Sequence, residues 1–273
     1  MFRLENVTYE YQPGVQALSD VSLHIPKGCW AAIIGANGSG KSTLARHLNG
    51  LLTATAGRVL VDGRDVNEYA NVQQLRRRVG IVFQNPDNQI VGNSVEEDVA
   101  FGPENLGLPR DEIRRRITGA LRMVGLVGRE KEDPATLSGG QKQRLAIAGA
   151  LAMQPDALIL DEATAMLDPV GAAEVLQVLR QLHAGGMTIV MITHSMAEVA
   201  EAELAVVMAG GRLQLAAPPA DVFRNDKELA GWHIELPPVT MLGNMLGIPG
   251  CMSLDELMTG LDEYRWQTLG RNT

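Results

Sequence analysis

The sequence holds only two cysteines, Cys29 and Cys251. Two thiols cannot build a disulfide framework, so the chain reads as a protein of a reducing compartment. No stretch reaches 18 consecutive apolar residues, which argues against a membrane-spanning helix of its own. Residues 1–6 are not a basic segment followed by an apolar one, so no secretory signal is expected. Basic residues are outnumbered, with 24 Lys and Arg against 32 Asp and Glu, for a formal charge of −8. That balance speaks against nonspecific nucleic-acid binding as the main task. There is no internal repeat and no low-complexity tract. What the chain has in excess is glycine, 29 of 273 residues or about 11%, against an ordinary ~7%. The glycines do not recur every third position, so they are not collagen-like. They are expected where backbone turns tightly or comes close to something. With 45% hydrophobic and 21% charged residues, the composition is that of an ordered globular protein.

The length suits one large domain or a domain with a small appendage. Loose alternation over 2–11 (Phe2, Leu4, Val7, Tyr9, Tyr11) and over 21–25 predicts two strands, the second closed by the turn signal Pro26-Lys27-Gly28. A short apolar run over 30–34 ends in a glycine cluster, followed by a helix over 42–51. Further strands are expected over 57–61 and 78–83. From 94 to 152 apolar residues recur at helical spacing, which predicts a mostly helical insert. The triplets Arg76-Arg77-Arg78 and Arg114-Arg115-Arg116 read as solvated helix faces. Apolar runs over 157–160 and 188–192 flank a helix over 169–183, and 204–208 with 212–215 form a hairpin through Gly210-Gly211. Strands alternating with helices imply a parallel, doubly wound sheet. After Pro237-Pro238 only short amphipathic pieces remain (241–246, 254–261), read as a small helical appendage with a boundary near 231.

Three of the apolar runs end in chemistry. The first runs into Gly35-Ala36-Asn37-Gly38-Ser39-Gly40-Lys41-Ser42-Thr43, which fits the GxxxxGK[ST] phosphate loop between a strand and a helix. Glycines let backbone N–H groups turn inward around an anion, and the helix that follows aims its positive end at it. Lys41 is placed to reach the β- and γ-phosphates, and the Ser42 hydroxyl to ligate Mg²⁺. The second run delivers Asp161-Glu162 at the end of a strand. Asp161 is the expected Mg²⁺ holder and Glu162 the expected general base on the attacking water. The third ends in Thr193-His194, where a histidine can meet the γ-phosphate. A fourth motif, Leu137-Ser138-Gly139-Gly140-Gln141, opens a helix and makes a second anion cradle. One chain needs one cradle, so the second is expected to serve a nucleotide held by another copy.

With these motifs in this order, about residues 2 to 225 resemble the ATP-binding cassette (ABC) ATPases, whose signature is LSGGQ. The resemblance implies an α/β P-loop NTPase fold: a RecA-like core with an antiparallel β subdomain and an inserted α-helical subdomain, plus a small C-terminal helical extension. On the chain this is an ATPase domain over 1–230, with the helical subdomain over about 90–152, and an extension over 231–273 that contacts a partner. The resemblance also assigns roles. Tyr11, rather than its neighbour Tyr9, stacks on adenine. Gln84 senses Mg²⁺ and the water and links to a membrane partner. Leu167-Asp168 crosses a dimer interface, His194 is the switch histidine, and Ser138 and Gly140 reach the partner's γ-phosphate.

Finer marks resemble the energy-coupling factor (ECF) ATPases of cobalt and vitamin importers. The stretch 82–89 carries a second glutamine, Gln89, which that resemblance places in the groove for a membrane subunit. Ala163 and Met166 resemble the first of the two ECF paralogues. Ser195 departs from the acid many relatives carry after the histidine. The implied protein is an ATP-hydrolysing motor on the cytoplasmic face of a membrane. It needs ATP and Mg²⁺, a second ATPase chain facing it head to tail, an integral coupling subunit and a cargo-binding membrane subunit, and no nucleic acid. The alternatives are an ATPase of another ABC transporter class or a non-transport ABC ATPase such as one of iron–sulfur assembly. A coiled-coil DNA-repair type is disfavoured, because only about 100 residues separate the phosphate loop from the signature.

Overall fold

The computed structural model describes residues 1–69 and 72–269; residues 270–273, the end of the expected extension, lie outside the described residues. In chain order the elements are β1 (Phe2–Gln12), β2 (Val15–Ile25), β3 (Trp30–Ile34), α1 (Lys41–Leu48), β4 (Ala56–Val61), β5 (Arg64–Asp65), α2 (Val72–Arg78) and β6 (Val79–Val82). Three helices follow before the next strand: α3 (Val95–Asn105), α4 (Arg110–Met123) and α5 (Gly139–Ala152). Then come β7 (Ala157–Asp161), α6 (Pro169–Ala184), β8 (Thr188–Ile192), α7 (Met196–Val199), β9 (Leu204–Ala209) and β10 (Arg212–Ala217). The chain closes with α8 (Pro219–Val222), α9 (Asp226–Gly231), α10 (Pro238–Met245) and α11 (Leu254–Leu269). Among the described residues no helix is long and apolar enough to cross a membrane.

Two sheets form. One is antiparallel, in the order β2-β1-β4-β5; the other runs β10-β9-β3-β8-β7-β6, with β9 through β6 parallel and β10 an antiparallel edge. The parallel strands are almost wholly apolar because both faces are covered. Their residues sort by parity into two cores. Trp30, Ala32, Ile34, Leu158, Leu160, Ile189 and Met191 join the core that holds α5 and α6. Ala31, Ile33, Ile159, Val190 and Ile192 join the core shared with α1 and the antiparallel sheet. The spatial order β3-β8-β7-β6 brings together the carboxyl ends of four strands from distant parts of the chain. Open α/β sheets bind ligands at those ends.

Several boundaries differ from the sequence expectation for physical reasons. β2 begins at Val15 rather than 21, because 15–20 folds back on the end of β1, with Gln12 opposite Val15. α1 stops at Leu48, ahead of Gly50 in the left-handed region at φ 69°, the usual helix-ending conformation. α10 starts at Pro238, where a proline ring suits a first helical turn. The arginine triplets are only partly solvated faces. Arg116 is 8% exposed, with one nitrogen on Glu112 and another donating to Ala152 O at 3.1 Å. Arg78 bridges Asp62 and Asp156 and so ties β4's end to the approach of β7. The last elements do not stand free: Ile234 is buried in the larger core, and Trp232, Leu236 and Met252 pack against it.

Candidate functional site

The phosphate loop follows β3 directly. Gly40 has φ 101°, and a Cβ there would meet Ala17 O at 2.7 Å; a Cβ on Gly35 would meet Met208 O at 2.1 Å. Neither position accepts a side chain, which is the local reason for glycine. Lys41 is 5% exposed and donates from Nζ to Gly35 O at 2.8 Å and Ala36 O at 3.0 Å. Burial lowers its pKa below the ordinary lysine range, and Glu162 and Asp161 partly offset this. Ser39 Oγ is buried in the same loop with no hydrogen-bond partner. An orphaned hydroxyl beside a glycine cradle and a helix N-terminus fits an anionic group. The loop residues 37–43 line a cleft of about 230 Å³ together with Tyr11 and Glu162. Tyr11 is 48% exposed, its hydroxyl 3.1 Å from Thr43 Oγ1. Tyr9 instead packs edge-on between Tyr11 and His47 and does not line the cleft.

The acids arrive from β7. Ser42 Oγ donates to Asp161 Oδ1 at 2.8 Å. Asp161 is 8% exposed; burial raises its pKa, and the Ser42 bond, Arg46 and Lys41 pull it back. Two hard oxygen donors in contact beside a phosphate loop fit Mg²⁺, which is held by few protein oxygens plus substrate phosphates. Glu162 adopts φ 54°, left-handed for a residue with a Cβ, and its N–H donates to Ile192 O at 3.1 Å. Its carboxylate accepts from Gln84 Nε2 at 3.0 Å on one oxygen and from His194 Nε2 at 3.1 Å on the other. Strands β8, β7 and β6 lie side by side and deliver His194, Glu162 and Gln84 in that order.

The signature stands elsewhere. Ser138 caps α5 in a reciprocal box: its hydroxyl accepts from Gln141 N at 3.3 Å, and its N–H donates to Gln141 Oε1 at 2.9 Å. Asp168 caps α6, accepting from Gly171 N at 2.8 Å. Ser138, Gly139, Gly140, Leu167 and Asp168 line a cleft of about 360 Å³ that shares no residue with the phosphate-loop cleft. The structure therefore divides the expected site residues into two groups. Lys41, Ser42, Asp161, Glu162, Gln84, His194 and Tyr11 belong with the phosphate loop; Ser138, Gly139, Gly140 and Asp168 form the other group.

Gln89 follows a short helical turn over Pro86–Asn88, just after Gln84. It is half-buried, donating to Ile81 O at 3.3 Å and accepting from Phe83 N at 3.2 Å. Both ends of the amide bracket the last turn of chain before Gln84. The sequence reading also passed over Gln143, fully buried on α5, which donates to Phe83 O at 3.1 Å. A glutamine among the buried positions of a helix was the available signal.

The family described as "ABC transporter" matches residues 18–165. The chain is 53% identical over 272 residues to the energy-coupling factor transporter ATP-binding protein EcfA1 of Symbiobacterium thermophilum, covering 94% of this chain and 95% of that protein. It is 48% identical to EcfA of Methanosarcina acetivorans, covering 89% and 87% of the two chains. Among solved structures, cbiO1 of Clostridium perfringens, described as part of the ABC transporter complex cbiONQ, is 39% identical with a TM-score of 0.77, covering 90% of this chain and 98% of that one. The ATP-binding cassette MJ0796, solved as a dimer bound to ADP and Pi, is 31% identical with a TM-score of 0.72, covering 80% and 98%.

Proposed function

The chain belongs to the ABC transporter family, as an ATP-binding and ATP-hydrolysing subunit of the energy-coupling factor type, and from that premise we propose how its residues divide the work. The carrying observation is the grip on Glu162. Three neighbouring strands hold its carboxylate between Gln84 and His194, beside the cleft that Lys41 and Ser42 line.

Lys41 and the N–H groups of 35–43 bind the phosphates of ATP, and Tyr11 offers its exposed ring to the adenine. Ser42 and Asp161, with Gln84 beside them, would hold Mg²⁺, which supplies charge neutralisation at the phosphate oxygens. Glu162 takes a proton from the water that attacks the γ-phosphorus. His194 and Gln84 fix the direction of that carboxylate. The bond to the bridging oxygen breaks, and ADP and phosphate leave. Positioning and electrostatics supply most of the rate.

Ser138, Gly139, Gly140 and Asp168 act on the nucleotide of a facing chain, an identical copy or a paralogue, in a head-to-tail sandwich. The separation of the two clefts supports this reading, as does the dimer formed by the relative MJ0796. Residues 1–230 then form the ATPase domain, with the helices over about 90–152 as its inserted subdomain, and 231–273 form an extension toward a partner. The assembly sits at the cytoplasmic face of a membrane, on an integral coupling subunit, and a further membrane subunit binds the cargo, a vitamin or a transition-metal ion. Purification of the chain from membranes in mild detergent tests this. An integral membrane protein should co-purify with ATP hydrolysis; recovery of the chain alone from a membrane-free fraction overturns the transport reading.

A further inference from the structure

We propose that Glu198 is a positioning residue whose buried carboxylate clasps the loop carrying Glu162 to the loop carrying His194, so that the two meet in register for hydrolysis. The proposal rests on the reading of Glu162 and His194 given above.

Glu198 lies on α7 and is 5% exposed. One carboxylate oxygen accepts from Thr164 Oγ1 at 2.6 Å and the other from Thr193 Oγ1 at 2.5 Å. Thr193 Oγ1 in turn accepts from Ser195 N at 2.9 Å. Thr164 stands two residues after Glu162, while Thr193 and Ser195 flank His194 directly. A single side chain therefore grips both loops within two residues of the groups that touch each other at 3.1 Å. Thr164 and Thr193 are buried as well, at 7% and 4% exposure.

A buried carboxylate is costly unless its oxygens are hydrogen-bonded. Here both are, and the donors come from two different strand ends. Glu162 also needs restraint, since a left-handed backbone at a residue with a Cβ persists only when its surroundings over-determine it. Its own N–H on Ile192 O holds one side; the clasp at Thr164 holds the other. Each carboxylate oxygen accepts from one hydroxyl. A glutamine at 198 would present N–H to one of them and reverse that bond.

The test uses ATP hydrolysis by the full chain in the membrane complex that co-purifies with it. Thr164→Val keeps the shape and removes the hydroxyl; Thr164→Ser restores it. Small misplacement of a catalytic group costs up to ~10²-fold in rate, so Thr164→Val and Glu198→Gln should each lower kcat about tenfold, with KM for ATP within about twofold of the parent. Thr164→Ser should recover most of kcat. A merely structural role would lower stability without this split or this rescue. Parent-like kcat in Thr164→Val, or a Thr164→Ser as slow as Thr164→Val, overturns the proposal. Should Glu198→Gln not fold, the Thr164 pair decides. Glu162→Gln run in parallel separates the two readings. Continued hydrolysis by it sinks the general-base assignment and the clasp together, whereas an inert Glu162→Gln beside a fully active Thr164→Val overturns the clasp alone.

Discussion

Ser42 donates a hydrogen bond to Asp161 at 2.8 Å, although the two residues lie 119 positions apart in sequence. Ser42 opens the helix after β3, and Asp161 ends β7. The strand between them, β8, adds His194 to the same edge. One hydrogen bond thus joins the phosphate loop to the acid pair, and the chemistry of each depends on the other.

Lys41→Met should weaken ATP binding at least tenfold while leaving the fold intact. Its charged hydrogen bonds to phosphate are worth about 1.5–3 kcal/mol, and 1.4 kcal/mol is tenfold in affinity. Equilibrium titration with a fluorescent ATP analogue measures it; an unchanged Kd contradicts the cradle.

Glu162→Gln should lower turnover by about 10²–10⁴-fold, the range that a positioned base contributes. The amide keeps the shape, so ATP binding should persist and an ATP-bound dimer should accumulate on size-exclusion chromatography. Ordinary hydrolysis by this variant would rule out the base assignment.

Gly40→Ala places a Cβ 2.7 Å from Ala17 O and 3.0 Å from Leu18 Cδ2, at φ 101°. Left-handed strain alone costs roughly 1–2 kcal/mol, and the contact with a backbone oxygen adds to it. Urea unfolding should show a loss above about 2 kcal/mol, accompanied by loss of ATP binding. Parent-like stability would mean that the loop can shift away from β2.

Gln89→Met removes the bracket on Ile81 O and Phe83 N. Each backbone group left unpaired costs about 1–3 kcal/mol when buried; Gln89 is only half-buried, so a loss near the lower end is expected. Proteolysis over 84–94 should quicken. An unchanged digestion pattern would show that the bracket does not restrain this segment.

His47 supplies a pH dependence. It is fully buried, its Nδ1 donating to Thr43 O at 2.7 Å, and burial holds its pKa below the ordinary 6.5. The carbonyls of Thr43 and Thr53 offset only part of that. The folded state therefore binds the proton less readily than the unfolded state. The associated stability is fully present above about pH 6.5 and declines as pH falls below it toward the folded pKa. Urea midpoints measured from pH 7.5 to 5 should fall more steeply for the parent than for His47→Gln; equal slopes would refute the assignment.

The phosphate loop was legible in the sequence because its requirement is local. Gly35 and Gly40 are glycines since a Cβ would strike backbone there, and Lys41-Ser42 follow at fixed spacing. The apolar runs at 30–34, 157–160 and 188–192 were legible for a similar reason, since strands covered on both faces need no polar alternation. The hydrogen bonds of Gln89 were not legible, because a glutamine after a turn carries no sign of which backbone groups it meets. The nearby backbone of Ile81 and Phe83 supplies them. Arg116 looked solvated as one of three arginines on a helix, yet its burial depends on Glu112 and on Ala152 O at the end of α5.

By itself, the sequence determined the residue types that bind phosphate, the order of the motifs and the absence of an apolar run long enough to span a membrane. These follow from spacing along one strand, loop or helix. Only the tertiary structure decided which motifs meet. The strand order β3-β8-β7-β6 gathers the phosphate loop, His194, Glu162 and Gln84 at one edge, whereas Ser138 and Asp168 line a cleft of their own. It also decided that Glu198 turns inward to Thr164 and Thr193. A hydrogen bond needs its partner within about 3 Å, and for Ser42, Glu162 and Glu198 the partners come from the ends of other strands.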